Sequence, residues 1–180
     1  MQFHTLYNTP QFSFEGQTVP ARVVDVYDGD TITAVIEVFP GKFHQFKVRL
    51  VNIDTPEMRG GTVESKKKAT LARNTLLSII TRYGVNCTNI SPSDIKQILN
   101  GPIAYIVYIR CFGNDKYGRM LGEIFMDSDL NHPSCNQMLL SWGLAKPYFG
   151  GTREILLGVE DDNDAPPKRP WYVTLLSCCR

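Results

Sequence analysis

Phe43-His44-Gln45-Phe46-Lys47-Val48-Arg49-Leu50-Val51-Asn52-Ile53, running on into Asp54-Thr55-Pro56-Glu57, is the stretch that decides the fold. Phe46, Val48 and Leu50 alternate with Gln45, Lys47 and Arg49, the period of two expected of a strand with one face buried and the other in water. The strand is expected to run from Phe43 to Ile53 and to turn out of its sheet at Asp54, where Pro56 fixes φ. Upstream, Arg22 to Val26 and Thr31 to Phe39 are rich in β-branched residues. Turn signals stand at Asp28-Gly29, which suits positive φ, and at Pro40-Gly41, so the three strands should form a meander.

Downstream, Gly60-Gly61 breaks the chain and Thr62 is a candidate N-cap. A helix from about Val63 to Arg82 follows from the spacing of Ala69, Ala72, Leu76, Ile79 or Ile80, and Tyr83. Val85 to Ile90 reads as extended, and Ser91-Pro92-Ser93-Asp94 opens a short helix that Asn100-Gly101 stops. Ile103 to Cys111 and Arg119 to Met126 read as strands, Gly113 to Gly118 as a loop, and Asn136 to Trp142 as a short helix ended by Gly143. The expected class is α+β, mainly β. It is a five-stranded barrel of the OB type, with a long helix after the third strand and a short helix after the fifth.

Residues 1–20, aromatic and without period, read as an arm laid on the domain of residues 21–150. Residues 151–180 read as an acidic, proline-containing tail, in which Trp171 to Leu176 is apolar enough to dock. The chain has 180 residues, 43% hydrophobic and 21% charged, which predicts a folded core. A net charge of +1 does not by itself demand a polyanionic partner. The charge is uneven: Lys66, Lys67, Lys68 and Arg73 lie together, and Glu160, Asp161, Asp162 and Asp164 form an acidic patch. The lysine run reads as a solvated helix face that could also line a substrate's approach. Five cysteines without regular spacing argue against a disulfide framework or a zinc site. The N-terminus lacks the pattern of a signal peptide and no stretch is apolar enough to span a bilayer, so the expectation is an intracellular protein. It is also expected to be a monomer.

Three segments could carry chemistry, although each alone reads as an ordinary turn or loop: Asp28-Gly29-Asp30-Thr31, Asp54-Thr55-Pro56-Glu57 and Asp115-Lys116-Tyr117-Gly118-Arg119. Asp30 and Asp54 lie near strand ends of one small sheet. Together with a backbone carbonyl such as that of Thr55, and waters, they suit a hard cation, calcium or magnesium. Glu57 could hold and deprotonate a water. Arg49 leads into the same turn and Arg119 opens the strand after the loop; two planar guanidinium forks match phosphate oxygens. These are the parts that phosphodiester hydrolysis requires. The three scattered histidines suggest neither a metal cluster nor a triad.

Val26 to Thr31, Val48 to Glu57, Asp115 to Arg119 and Trp142-Gly143-Leu144-Ala145-Lys146, in that order, resemble the staphylococcal nuclease (thermonuclease-like) family over about Ala21 to Phe149. The resemblance implies an OB-type barrel and calcium-dependent cleavage of DNA or RNA, with water attacking opposite the 5′ oxygen to leave a 3′-phosphate. It implies Asp30, Asp54 and the Thr55 carbonyl as Ca2+ ligands, Glu57 as general base, and Arg49 and Arg119 as phosphate-binding arginines. Lys116 and Tyr117 would flank the terminal phosphate.

Three features depart from the family pattern. Simple alignment puts Phe149 where the family has a nucleotide-facing tyrosine, and a one-residue slip puts Tyr148 there. Asn86 to Pro102 looks like an insertion, either a surface elaboration or a substrate-selecting lip. The family's basic C-terminal helix is not evident, with Glu154 to Glu160 forming at most a short piece of it. The alternative to a nuclease is a non-catalytic OB barrel that binds nucleic acid or protein. Against it, unpaired carboxylates repel phosphate unless a cation intervenes.

Overall fold

A computed structural model of the chain describes residues 4–5, 7–9 and 11–148. Strands β1 (Thr18–Val26), β2 (Thr31–Phe39) and β3 (Lys42–Leu50) form the meander, and β4 (Ile53–Asp54) is a short continuation. Helices α1 (Val63–Ile80) and α2 (Pro92–Leu99) precede β5 (Ile106–Asn114) and β6 (Met120–Phe125), and α3 (Cys135–Ser141) and β7 (Lys146–Pro147) close the described part. The barrel closes in the order β1-β2-β3-β6-β5, with β6 parallel to β3 and the other pairs antiparallel. This is the five-stranded OB-type barrel expected.

The barrel is filled by the inward residues of each strand, among them Ile32, Ile36, Val48, Leu50, Ile109 and Ile124, all essentially without solvent contact. Gly122 stands among them because a Cβ there would lie 2.7 Å from Ile109 Cγ2 and 2.9 Å from Val48 Cγ1. Helix α1 starts as expected, with Thr62 Oγ1 accepting the Ser65 amide at 3.1 Å.

Several boundaries differ from the sequence reading. The first strand begins at Thr18, not Arg22, so three residues assigned to the arm belong to the barrel. Thr18, Val19 and Pro20 pair with β5 alone, and a proline is tolerated in a strand segment paired on one side. The third strand does not reach Ile53. It breaks at Val51-Asn52, where Asn52 takes φ 62°, and resumes as β4 against β7. The long helix stops at Ile80 because Arg82 and Tyr83 are left-handed at φ 53° and 58°. Val85 to Ile90 is irregular rather than extended, and β5 starts and ends three residues later than expected. Helix α3 begins one residue early, with Ser134 as its cap.

The Asn86–Pro102 segment is anchored to the barrel. Ile95 and Leu99 of α2 are fully buried, Arg22 Nη2 donates to the carbonyls of Leu99 and Gly101, and Asn100 Nδ2 donates to Val24 O. Arg73 also leaves the lysine cluster. It is buried, donates to Ile90 O at 3.0 Å and anchors that segment, whereas Lys66, Lys67 and Lys68 are exposed. The acidic patch, Glu154 to Glu160, Trp171 to Leu176 and Phe149 lie outside the described residues. No helix among those described is long and apolar enough to cross a membrane.

Candidate active site

Thr31, the first residue of β2, pairs with Arg49 near the end of β3, and Val48 beside it pairs with Met120, the first residue of β6. Three strand ends therefore meet at one place. The Leu50 amide donates to Asp30 O at 2.8 Å, which pins the β1–β2 loop to the end of β3. Asp30 is buried there. Its Oδ2 accepts both the amide and the hydroxyl of Thr55, at 2.8 and 2.9 Å. Its Oδ1 accepts the Thr31 hydroxyl and pairs with Arg49 Nη1. Arg49 Nη2 reaches Asp54 Oδ1 at 2.8 Å and Ile53 O at 3.3 Å, so one guanidinium bridges the two carboxylates expected to ligate a cation. The Asp54 side chain is 56% exposed and Glu57 lies exposed just beyond it.

Arg119 is held differently. Asp115 Oδ1 accepts the amides of Tyr117 and Arg119 at 2.8 and 2.9 Å, and its Oδ2 accepts Arg119 Nε at 2.6 Å. This is an aspartate-capped turn, closed by Gly118 at φ 78°. The Tyr117 ring, 73% exposed, has Arg119 Cζ at 5.6 Å and Lys116 Nζ at 5.1 Å from its centroid. Burial pushes the Asp115 carboxyl up, but the Arg119 and Tyr117 hydrogen bonds and the Arg119 charge outweigh it and hold the group below its ordinary value.

Asp28 joins these two halves. It is buried, and its Oδ1 accepts the Asp30 amide at 3.2 Å. Burial raises its pKa, against the pull of the Thr31 hydrogen bonds and of the charges on both Arg49 and Arg119. Both arginines thus act on one buried carboxylate.

Asp28-Gly29 lies in the hairpin turn expected between β1 and β2, but Gly29 does not take the positive φ that Asp-Gly suits. Gly29 is required because a Cβ would lie 2.7 Å from Ala72 Cβ on α1 and 2.8 Å from Thr55 Cγ2. Asp28 and Asp115 are therefore the residues that sequence reasoning passed over. The signal for Asp115 was present, an aspartate two residues before a bonded amide and three before a glycine. Asn136 was passed over too. Its Nδ2 donates to Val51 O at 2.9 Å and Gly122 O at 3.3 Å, while its Oδ1 accepts the Ile124 amide, so α3 props the turn that leads to Asp54.

Tyr148 donates its amide to Asn52 O at 3.1 Å, just after β7 has paired Lys146 with Asp54. Arg49, Asp30, Asp54 and Thr55 are in direct contact, and Tyr117 and Lys116 accompany Arg119. Glu57 has no bonded partner among the described residues. No three His, Cys, Asp or Glu side chains among those residues cluster closely enough to ligate one ion alone. Buried Cys111 and Cys135, pushed up to about 11 and about 12 by burial, are unsuited to nucleophilic work.

The family model of staphylococcal nuclease homologues matches residues 47–157, a span that takes in Arg49, the Asp54–Glu57 turn and the Asp115–Arg119 loop. The chain belongs to the staphylococcal nuclease homologues. Two relatives in Escherichia coli O157:H7 and Escherichia coli, each named "Uncharacterized endonuclease", are 29% identical to it over 163 residues, 85% of this chain and 83% of theirs. A protein of Methanocaldococcus jannaschii is 27% identical over 131 residues, 71% of this chain and 58% of its own. Asp28 and Asp30 of this staphylococcal nuclease homologue precede the matched span, and Asp30 is tied to it by the Thr55 and Leu50 hydrogen bonds.

Proposed function

We propose that this protein is a calcium-dependent nuclease that hydrolyses phosphodiester bonds of DNA, RNA or both and leaves 3′-phosphates. The family and the endonuclease relatives support the reaction class. The observation that supports the site assignment is that Arg49, near the end of β3, pairs with Asp30 and Asp54, while Arg119 immediately precedes Met120, where β6 begins its parallel pairing with β3.

The donor set suits a divalent cation. Asp28, Asp30, Asp54 and Asp115, when ionised, exceed the charge of the two guanidinium groups by two. All the donors are oxygens, and burial raises the pKa of Asp28 despite the two arginine charges that lower it. Asp30, Asp54 and the Thr55 carbonyl would hold the ion, with waters completing its shell. Two carboxylates make this a weak site, with a dissociation constant of ~10⁻⁴ to 10⁻³ M. Calcium bound there supplies positive charge to the phosphate. Arg49, relieved of the carboxylates it bridges in the free protein, turns its planar fork to the phosphate oxygens, and Arg119 meets them from the loop that leads into β6. Lys116 and Tyr117 flank the terminal phosphate and Tyr148 lies on the nucleotide side, the place that Phe149 shares in the alignment. Glu57 takes a proton from the attacking water. The water oxygen bonds to phosphorus, the bond to the 5′ oxygen breaks, and that oxygen takes up a proton.

Cleavage of single-stranded DNA and of RNA, assayed with calcium, magnesium or chelator, tests this reading. Calcium-dependent cleavage is expected, with Glu57→Gln lowering kcat roughly a hundredfold or more and leaving KM nearly unchanged. Intact binding without cleavage in any condition would sink it and leave a non-catalytic barrel that binds nucleic acid.

A further inference from the structure

The outward face of β3 continues past Arg49. Residues at every second position face the same way, and Val48 and Leu50 point inward and are buried, so Arg49, Lys47, Gln45 and Phe43 form one outward row. Lys47, Gln45 and Phe43 are exposed, and Phe43 is 62% so. Lys47 has no carboxylate partner among the described residues. Its cross-strand neighbour is Thr33, and that of Gln45 is Val35. The first carboxylate met along β2 is Glu37, opposite Phe43, and its Oε1 already accepts the Gly41 amide at 2.6 Å. Strand β6 pairs with β3 only over Val48–Leu50, so the Phe43–Lys47 stretch is not flanked by it. Phe39, also exposed, follows at the hairpin end with the Phe12 ring 6.2 Å from its own.

We propose that this row is a track for single-stranded nucleic acid. Lys47 binds the phosphate next to the one held at Arg49, and Phe43 stacks a base further along the strand. Successive outward residues are about 6.7 Å apart, a repeat close to that of an extended nucleic-acid backbone, and Phe43 stands about 20 Å from Arg49. A cation followed by an exposed aromatic ring is the combination by which such strands are held without regard to sequence. Phe43 offers its exposed ring on the same face as the cations of Lys47 and Arg49. The track rests on the nuclease reading for what Arg49 does, and it adds that the enzyme prefers strands long enough to reach Phe43.

Fluorescence anisotropy with labelled oligothymidylates and oligouridylates, from dinucleotides to hexanucleotides, tests it in the presence of chelator, and cleavage kinetics follow with calcium. Affinity should rise with length in the intact protein. Phe43→Ala should flatten that rise by roughly tenfold on the longer strands, and Phe43→Tyr should restore it. Lys47→Gln should lower the salt dependence of binding by about 0.7 in log–log slope, and Lys47→Arg should keep it. A purely structural role for either residue would not move the length or salt dependence. A response confined to one polymer identifies it as the ligand, and an equal response assigns both. Length-independent binding, or variants that leave the rise and the salt slope intact, overturns the track even if cleavage occurs. Length-dependent binding by a protein that cleaves nothing overturns the nuclease reading and leaves the track standing.

Discussion

Arg49 and Arg119 flank the point where β3 and β6 pair, but their supports are opposites. Arg49 is fixed by carboxylates from two other segments, and one of those carboxylates is itself fixed by Thr55. Arg119 is fixed by Asp115, four residues away in its own loop. The first arrangement exists only when the barrel is closed and α1 is docked, whereas the second is a local turn. A nonlocal support makes the guanidinium part of the same electrostatic set as the cation ligands. A local support keeps it out of that set.

The largest expected effect follows from this difference. Arg49→Ala and Arg119→Ala should each lower kcat on the order of a hundredfold, but only Arg49→Ala should tighten calcium binding, because it frees Asp30 and Asp54. Equal calcium affinities in the two variants, measured by calorimetric titration, would break the comparison.

Next come the two glycines. Gly29→Ala drives a Cβ into Ala72 and Thr55 and should cost about 1–3 kcal/mol in urea unfolding, with loss of activity from a displaced Thr55. Gly118, at φ 78° with open space around it, should lose about 1 kcal/mol as alanine and less as asparagine, which tolerates that conformation. If Gly29→Asn proves as mild as Gly118→Asn, the close approach at Gly29 is not what holds the corner.

The smallest effect, and the sharpest in sign, concerns Asp28 and Asp115. Asp28 has a raised pKa in the folded state, so its contribution to stability is complete below its unfolded value near 3.8 and is lost as pH rises through the folded value. Asp28→Asn should therefore be more stable than the parent at pH 7, and the gap should close towards pH 3. Asp115 is lowered, so its contribution is present above 3.8 and is lost as pH falls through the folded value. Asp115→Asn should be less stable at pH 7, and that deficit should shrink in acid. Denaturation midpoints across this range check both.

The same division governs what could be read from the sequence. The alternation in β3, the Thr62 cap and the Asp115–Arg119 turn are local patterns, and the structure contains them where they were expected. The break at Asn52 left no mark, because an asparagine with positive φ looks like any other asparagine in a run of apolar residues. Arg73 sits among lysines in the chain and points the other way in space. Asp28 and Gly29 do form the turn that aspartate and glycine suggest, and only the distance from Gly29 to α1 shows the packing requirement behind the glycine. The Asn86–Pro102 segment looked like an addition because its anchors, the Leu99 carbonyl and the Asn100 side chain, have their partners Arg22 and Val24 on β1, some seventy residues earlier.

Asn136 has a consequence for the order in which the protein becomes competent during synthesis. Asp28, Asp30, Arg49, Asp54 and Glu57 all emerge in the first third of translation. The strand that closes the barrel beside β3 does not follow until Met120–Phe125, and the amide that props Val51 and Gly122 comes later still. A growing chain carries these acidic and basic residues, from Glu57 onward to Asn136, without the frame that aligns them. The site is therefore framed only once α3 has been made and docked on the barrel.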